Sequence, residues 1–151
     1  MTAGGPAEAV AREIAALHLF FEQWLNGTLP DSEEVFAEGL ERRLAPGFVN
    51  IQPAGLVLSR DDLIAQIRRG HGASPAFRIR VAEVAVQTSL EDASLILATY
   101  REYQRGARNS ASDNARISTV LLRRRDADFL WLHIHETWLP AEALPPNAFG
   151  F

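Results

Sequence analysis

The run "PGFVNIQPAGLVLSRDDLIAQI", residues 46–67, packs two short apolar stretches, a turn and a helix start into one segment. Residues 48–51 and 56–58 are the apolar stretches, and Gln52-Pro53-Ala54-Gly55 lies between them. Proline presets φ in a turn and glycine tolerates positive φ, so the four residues read as a tight hairpin. Ser59 then stands where a helix N-cap is wanted, with Asp62 three residues on, an acidic variant of the capping box. Leu63, Ile64 and Ile67 are the buried positions of the helix that follows, and Gly70 closes it. Asp61 and Asp62 are neighbours on a helix and diverge, so capping explains them better than a carboxylate dyad does.

Upstream, "PAEAVAREIAALHLFFEQWLNG" places Val10, Ile14, Leu17, Phe21 and Trp24 at spacings of three and four, one face of a helix expected over residues 7–26. His18 and Phe20 flank that stripe. "DSEEVFAEGLERRLAPGF" reads as a second helix, capped by Asp31 or Ser32, with acidic residues in its first turn and Pro46-Gly47 as its stop. Downstream the period changes to two. "FRIRVAEVAVQTS" (77–89), "SLILATYREYQR" (94–105), "ARISTVLLRRR" (115–125) and "FLWLHIHETWLP" (129–140) are four long strands with mostly short links, hence an antiparallel meander. "GARNSASDN" is the longer, polar link. The expected fold is therefore α+β: a curved, mostly antiparallel sheet wrapped around the long first helix, with two shorter helices, in a single domain. Its core spans residues 7–140, and the tail 141–151 ends in two phenylalanines that suit docking on a surface. Such a cone leaves its open end as a natural cavity.

Composition narrows the chemistry. The chain has 151 residues, 47% hydrophobic and 23% charged, with a formal charge of −4, so neither nucleic acid nor an anionic membrane is the expected partner. "RRR" at 123–125 reads as a solvated strand edge. The absence of cysteine excludes thiol nucleophiles, disulfides and cysteine-held metals from this chain. All 15 basic residues are arginine, which excludes lysine Schiff-base chemistry. The opening residues lack a basic leader followed by an apolar stretch, and no apolar run is long enough to span a bilayer, so a cytoplasmic location is the expectation. No glycine-rich phosphate loop points to a redox cofactor.

The element order, with residues 46–67 and the terminal "FLWLHIHETWLP", resembles the nuclear transport factor 2-like superfamily over roughly residues 7–140, and its small SnoaL-like and ketosteroid-isomerase-like members above all. The resemblance implies a cone-shaped fold, frequent dimers and a cavity of varied chemistry; fold alone does not carry function. Ketosteroid isomerases place their catalytic aspartate directly before a Pro-x-Gly turn. Gln52 holds that place here, and an amide cannot take a proton from a carbon acid.

Strict alternation along the last strand puts Trp131, His133, His135 and Thr137 on one face and Leu132, Ile134, Glu136 and Trp138 on the other. Both faces carry apolar residues, so alternation does not say which looks inward. In the resembling family the tryptophan and the second histidine commonly point into the cone. That orientation makes His135 the candidate acid–base residue, near Gln52 or Tyr103, because imidazole titrates near neutrality; a neutral core histidine is the competing account. Gln52, Arg101, Tyr103, Trp131, His133 and Trp24 complete the candidate ligand-binding set. For Arg101 and Tyr103, gripping a ligand oxygen competes with cross-strand pairing on a solvated face that opposes Tyr100, Glu102 and Gln104. Trp24 suits core or cavity wall better than a platform for nucleobases. His133 and His135 lack a third ligand for a metal, so no metal is expected. Two functions stand open: an acid–base isomerase, cyclase or hydratase-like enzyme acting on a small, mostly apolar carbonyl or carboxylate compound, or a non-catalytic ligand-binding or dimerisation module. Apolar residues on both sheet faces, with helices to cover only one, lead to the expectation of a homodimer through the convex side.

Overall fold

The computed structural model describes residues 4–151. Its elements run α1 (Pro6–Leu25), α2 (Glu33–Gly39), β1 (Leu44–Ile51), β2 (Val57–Ser59), α3 (Arg60–Arg69), β3 (Arg78–Ser89), β4 (Leu95–Arg105), β5 (Asn114–Arg125) and β6 (Asp128–Trp138). One six-stranded sheet forms in the order β2-β1-β6-β5-β4-β3. β3 to β6 pair as the antiparallel meander their short links demand. β1 joins β6 in parallel and carries β2 as the antiparallel edge, so the sheet is mixed and unclosed. The expected α+β cone is the observed architecture.

α1 starts with proline in its first turn, where the missing N–H leaves no gap in the ladder. Its buried positions are Val10, Ile14, Leu17, His18, Phe20 and Trp24, with Phe21 only half-buried. The stripe is thus rotated towards His18 and Phe20 relative to the heptad-like reading. Side chains tie this helix to three strands. Trp131 Nε1 donates to Glu13 at 3.0 Å, His18 Nε2 meets Tyr100 Oη at 3.2 Å, and Glu22 accepts from the Ile79 amide at 2.8 Å. Glu13, His18 and Glu22 leave the helix in different directions and still reach β6, β4 and β3, so the curved sheet wraps around α1, which lies across its concave side.

The hairpin and capping box form as the quoted stretch predicts. Gln52 and Leu56 close the turn through backbone hydrogen bonds, Gly55 takes φ +94°, and Ser59 and Asp62 cap α3 reciprocally. The second helix departs from expectation. It stops at Gly39, and Pro46-Gly47 lies inside β1 instead of ending a helix. Gly39 is required there because a Cβ would sit 2.1 Å from the Phe20 ring. Pro46 has no N–H for the ladder, and the β1–β6 register slips between Leu44 and Val49, where it sits.

The tail packs against the convex side: Leu139, Leu144, Ala148, Phe149 and Phe151 cluster with Tyr103, Ala115 and Ala82. Trp24 is fully buried, its ring 4.9 Å from that of Phe36 and its Nε1 donating to the Ile67 carbonyl at 2.8 Å. It therefore joins α1, α2 and α3. Trp24→Ala should destabilise the fold by about 3–5 kcal/mol and Ser59→Ala by about 1 kcal/mol in urea unfolding, the first by opening a cavity, the second by freeing one helix donor.

Candidate functional site

Cross-strand register builds the concave face in rows. Near the closed end stand Ile96, Leu122 and Trp131, then Ala98, Val120 and Ile134. Towards the open end the rows turn polar: Tyr100 with Ser118 and Glu136, then Glu102 with Arg116 and Trp138, then Gln104 with Asn114. Facing these rows is a wall of Phe21, Leu25, Leu63, Ile67, Phe77 and Ile79, and between wall and rows lies a cavity of about 560 Å³. One side is hydrocarbon and the other a hydrogen-bonding floor.

The floor is a chain of charged and amide groups. His18 Nδ1 donates to the Ile14 carbonyl at 2.7 Å, which leaves Nε2 facing Glu102 Oε1 at 3.1 Å and Tyr100 Oη at 3.2 Å. Gln104 donates to the other Glu102 oxygen. Arg116 Nη1 donates to Glu136 Oε1 at 3.2 Å, while its Nε lies 4.0 Å from Glu102 Oε2. Asn50 Nδ2 donates to Glu136 Oε2 at 3.1 Å. Glu102 and Glu136 are 4% and 9% exposed, so these charges are held with little water.

Burial acts first on every group here. It pushes Glu102 up, but the His18 charge and hydrogen bond, then Arg116 and Gln104, overcome it and hold the carboxyl down at about 2. Burial pulls the His18 imidazole down, and the adjacent Glu102, helped by the Ile14 carbonyl, more than reverses this. For Glu136, burial and the neighbouring Glu102 charge both push upward and prevail over Arg116 and Asn50. Tyr100 is driven well above its ordinary value by burial and the two carboxylates. The floor thus holds an ionised pair, His18 with Glu102, beside a carboxyl that takes up its proton more readily than usual.

The structure sorts the expected site residues. Gln52 lines the cavity. Trp24 and Trp131 are fully buried core residues, Trp131 being bonded to Glu13. Arg101 faces the convex side, bonded to Glu83 at 2.7 Å and to the Ala143 carbonyl. Tyr103, also convex, is covered by Phe149 with the Arg80 guanidinium 4.4 Å over its ring. His133 and His135 are convex as well, and His135 is exposed beside Thr119 and Ile51. The expected inward turn of His135 is therefore corrected. Leu121 pairs with His133 but Leu122 with Trp131, so Leu132 is an extra, bulged residue. Beyond that bulge the alternation is inverted: Trp131 stays inward, and so do Ile134 and Glu136. Among the described residues, no three His, Asp or Glu side chains converge in a way that could hold a metal ion.

The residues that sequence reading passed over are His18, Asn50, Tyr100, Glu102, Arg116 and Glu136. One signal was present. Ile96, Ala98, Tyr100, Glu102 and Gln104 form a single alternating series, in which an apolar face passes directly into a polar one.

Two consequences follow for stability. Glu102→Gln leaves His18 and Arg116 short of a buried partner and should cost about 3–5 kcal/mol, whereas His135→Ala should leave the melting temperature unchanged. The cluster also sets a pH dependence. Glu102, depressed below the ordinary 4.5, contributes stability that is lost as pH falls from 4.5 towards 2. Glu136, raised above 4.5, loses its contribution as pH climbs from 4.5 through its folded value. His18, raised above 6.5, keeps its contribution below 6.5 and loses it as pH rises through its folded value. The cluster's contribution should therefore peak in mildly acidic solution, near the ordinary carboxyl value. Urea unfolding of Glu136→Gln across pH should show a weaker decline on the alkaline side of that peak.

Comparison with known proteins places this geometry. The family described as sucrose-6-phosphate phosphohydrolase C-terminal matches residues 10–140. Sucrose-phosphatase 1 of Nicotiana tabacum is 27% identical over 146 residues, covering 93% of this chain and 33% of that protein. Sucrose-phosphatase 2 of the same plant is 28% identical over 147 residues with the same coverage. The chain thus spans about a third of the length of these curated relatives. Among solved structures, an NTF2-like protein of unknown function from Pseudomonas aeruginosa superposes with a TM-score of 0.77 at 29% identity, covering 87% of this chain and 99% of that one. An NTF2-like protein from Cytophaga hutchinsonii shares the fold at a TM-score of 0.66 and 13% identity, over 90% of this chain and all of that one. The chain belongs to the sucrose-6-phosphate phosphohydrolase C-terminal family and is built on the nuclear transport factor 2-like fold.

Proposed function

We propose that this protein binds an uncharged, hydroxyl-bearing small molecule in its cavity, a sugar being the compound class that fits best. The carrying observation is the floor itself, Glu102–Arg116–Glu136–Asn50, set opposite a hydrocarbon wall. Each floor charge already has a partner: Glu102 has His18, and Glu136 has Arg116. Among the described residues a charged ligand finds no unpaired counter-charge on that floor; Arg108, bonded to the Ala73 carbonyl, stands at the mouth instead. A carboxylate offers about four acceptor positions and these are not all used, so hydroxyl donors are well served. A ring that presents C–H groups to one side and hydroxyls to the other matches a cavity with one apolar and one polar wall. The polar floor favours such a compound over the mostly apolar one expected from sequence. The names of the relatives, sucrose-phosphatases, point to the same class, although the chain corresponds to only a third of those proteins.

A second reading, acid–base catalysis, is favoured by one observation. Two carboxyl groups flank Arg116, and their pKa values are pushed in opposite directions. In that reading Glu136 delivers the proton, while Glu102 and His18 hold the local charge. Gln52 sits at the cavity and orients a ligand oxygen but moves no proton.

Isothermal titration with sucrose, glucose and their phosphate esters separates these readings. Saturable binding of a neutral sugar, weakened about tenfold or more in Glu136→Gln, supports the binding reading. No saturable binding of any neutral sugar overturns it. Turnover that is lost in Glu136→Gln while affinity is kept supports catalysis.

The convex face is proposed as a self-association surface. Leu97, Leu121, His133 and Val49 form one half-buried row across it, with Thr99, Thr119, exposed His135 and Ile51 in the next. Light scattering should return a dimer, and Leu121→Glu should return a monomer that keeps its helical circular dichroism.

A further inference from the structure

We infer that Asn114 is a positioning residue that couples the charged floor of the cavity to the loop at its mouth, so that a change of partner by Arg116 below opens or closes the loop above. The coupling goes beyond the binding reading and does not depend on which ligand is bound.

Asn114 opens β5 and is 7% exposed. Its two ends face different neighbourhoods. The amide oxygen accepts from Arg116 Nη2 at 2.9 Å. The amide nitrogen faces the Ala111 carbonyl at 2.9 Å, Ser110 Oγ at 3.1 Å and Gln104 Oε1 at 3.2 Å. A flipped amide would set its N–H groups against the guanidinium, so the orientation is dictated by Arg116. Ser110 and Ala111 belong to the β4–β5 link. Ala107, Arg108, Asn109 and Ser110 of that link line the cavity mouth.

Opening of the loop has to break its own backbone bond. Ala107 donates to the Ser112 carbonyl at 3.1 Å, which closes the link upon itself. Gly106 takes φ +69° with the Ala76 carbonyl pressed against it, so the strand exit is a fixed pivot. Across the mouth, Arg108 donates to the Ala73 carbonyl. Among the described residues, the remaining side-chain tether is Asn114.

At the floor, Arg116 stands between two carboxylates, 3.2 Å from Glu136 and 4.0 Å from Glu102, and its buried Nε has no hydrogen-bond partner among the described residues. A second arrangement is therefore available, in which the guanidinium gives up Glu136 and satisfies Nε on Glu102. Gln104 bonds both Glu102 and Asn114, so this shift reaches Asn114 from two sides. A ligand that engages Glu136 displaces Arg116 and pulls on the tether of the loop. That supplies the bistable element a gate needs.

Amide hydrogen exchange on the unliganded protein tests the coupling through a double-mutant cycle. Glu136→Gln should speed exchange at the Ala107 amide about tenfold, roughly one net hydrogen bond, and leave the central β5 amide of Val120 unchanged. In Asn114→Ala that amide should already exchange fast, and adding Glu136→Gln should change nothing further. Should Asn114→Ala fail to fold, Asn114→Asp replaces it in the cycle, since it keeps the oxygen that accepts from Arg116 and removes the N–H groups that hold the loop. Unchanged Ala107 exchange in Glu136→Gln, or effects of the two substitutions that simply add, would overturn the proposal. Sugar titration is independent of this cycle, so failure of the gate and failure of the binding reading are told apart.

Discussion

The polar half of the molecule depends on keeping Glu102 ionised with almost no water around it. An isolated carboxylate in that place would take a proton or draw solvent into the core. His18 prevents this, and it does so from α1, more than 80 positions away in the chain. The helix must therefore lie close across the sheet, and its other anchors, Glu13 and Glu22, hold it there. The pair has a geometric reason as well as an electrostatic one. With Nδ1 committed to the Ile14 carbonyl, the ring has one direction left, and that direction is Glu102.

From that pair the remaining charges follow in order. Glu102 attracts Arg116 across the strand ladder, and Arg116 tolerates Glu136 beside Glu102, where two bare carboxylates would repel each other. The second carboxyl carries the cost of the arrangement in its raised pKa. The strongest electrostatic interaction thus belongs to His18 and Glu102, while the most adjustable group is Glu136, at the edge of the network.

Curvature decides who belongs to the network. The β3–β4 register shifts between Ala82 and Ala85, where Glu83 takes φ 54°, and again between Val86 and Thr88, bending β3 around α1. The Leu132 bulge in β6 lets Trp131 seal the closed end while Glu136 still faces inward two rows further on. Without it, either the tryptophan or the glutamate would point outward. Gln52, directly before the hairpin turn, lines the same cavity, while the buried carboxyls stand on β4 and β6 with β5 between them.

The sequence alone determined most of the architecture, because that information is local. Hydrophobic spacing marks α1, Ser59 and Asp62 cap α3, Pro53 and Gly55 turn the hairpin, and period two with short links makes the meander. The end of α2 was misread, since Gly39 is needed for contact with Phe20, a residue of another element. The site was mostly beyond local reading. Alternation names two faces of a strand but not which one is inside, and a single bulged residue inverts the answer for every residue after it. His135 was placed on the wrong side for that reason, while Arg101 and Tyr103 were misplaced because nothing local says that the Tyr100–Glu102 face is the buried one. The burial that distinguishes Glu102 from any exposed glutamate arises only when α1 closes over the sheet. Charge pairing between residues 18, 102, 116 and 136 is a property of that closure, and no spacing along the chain encodes it.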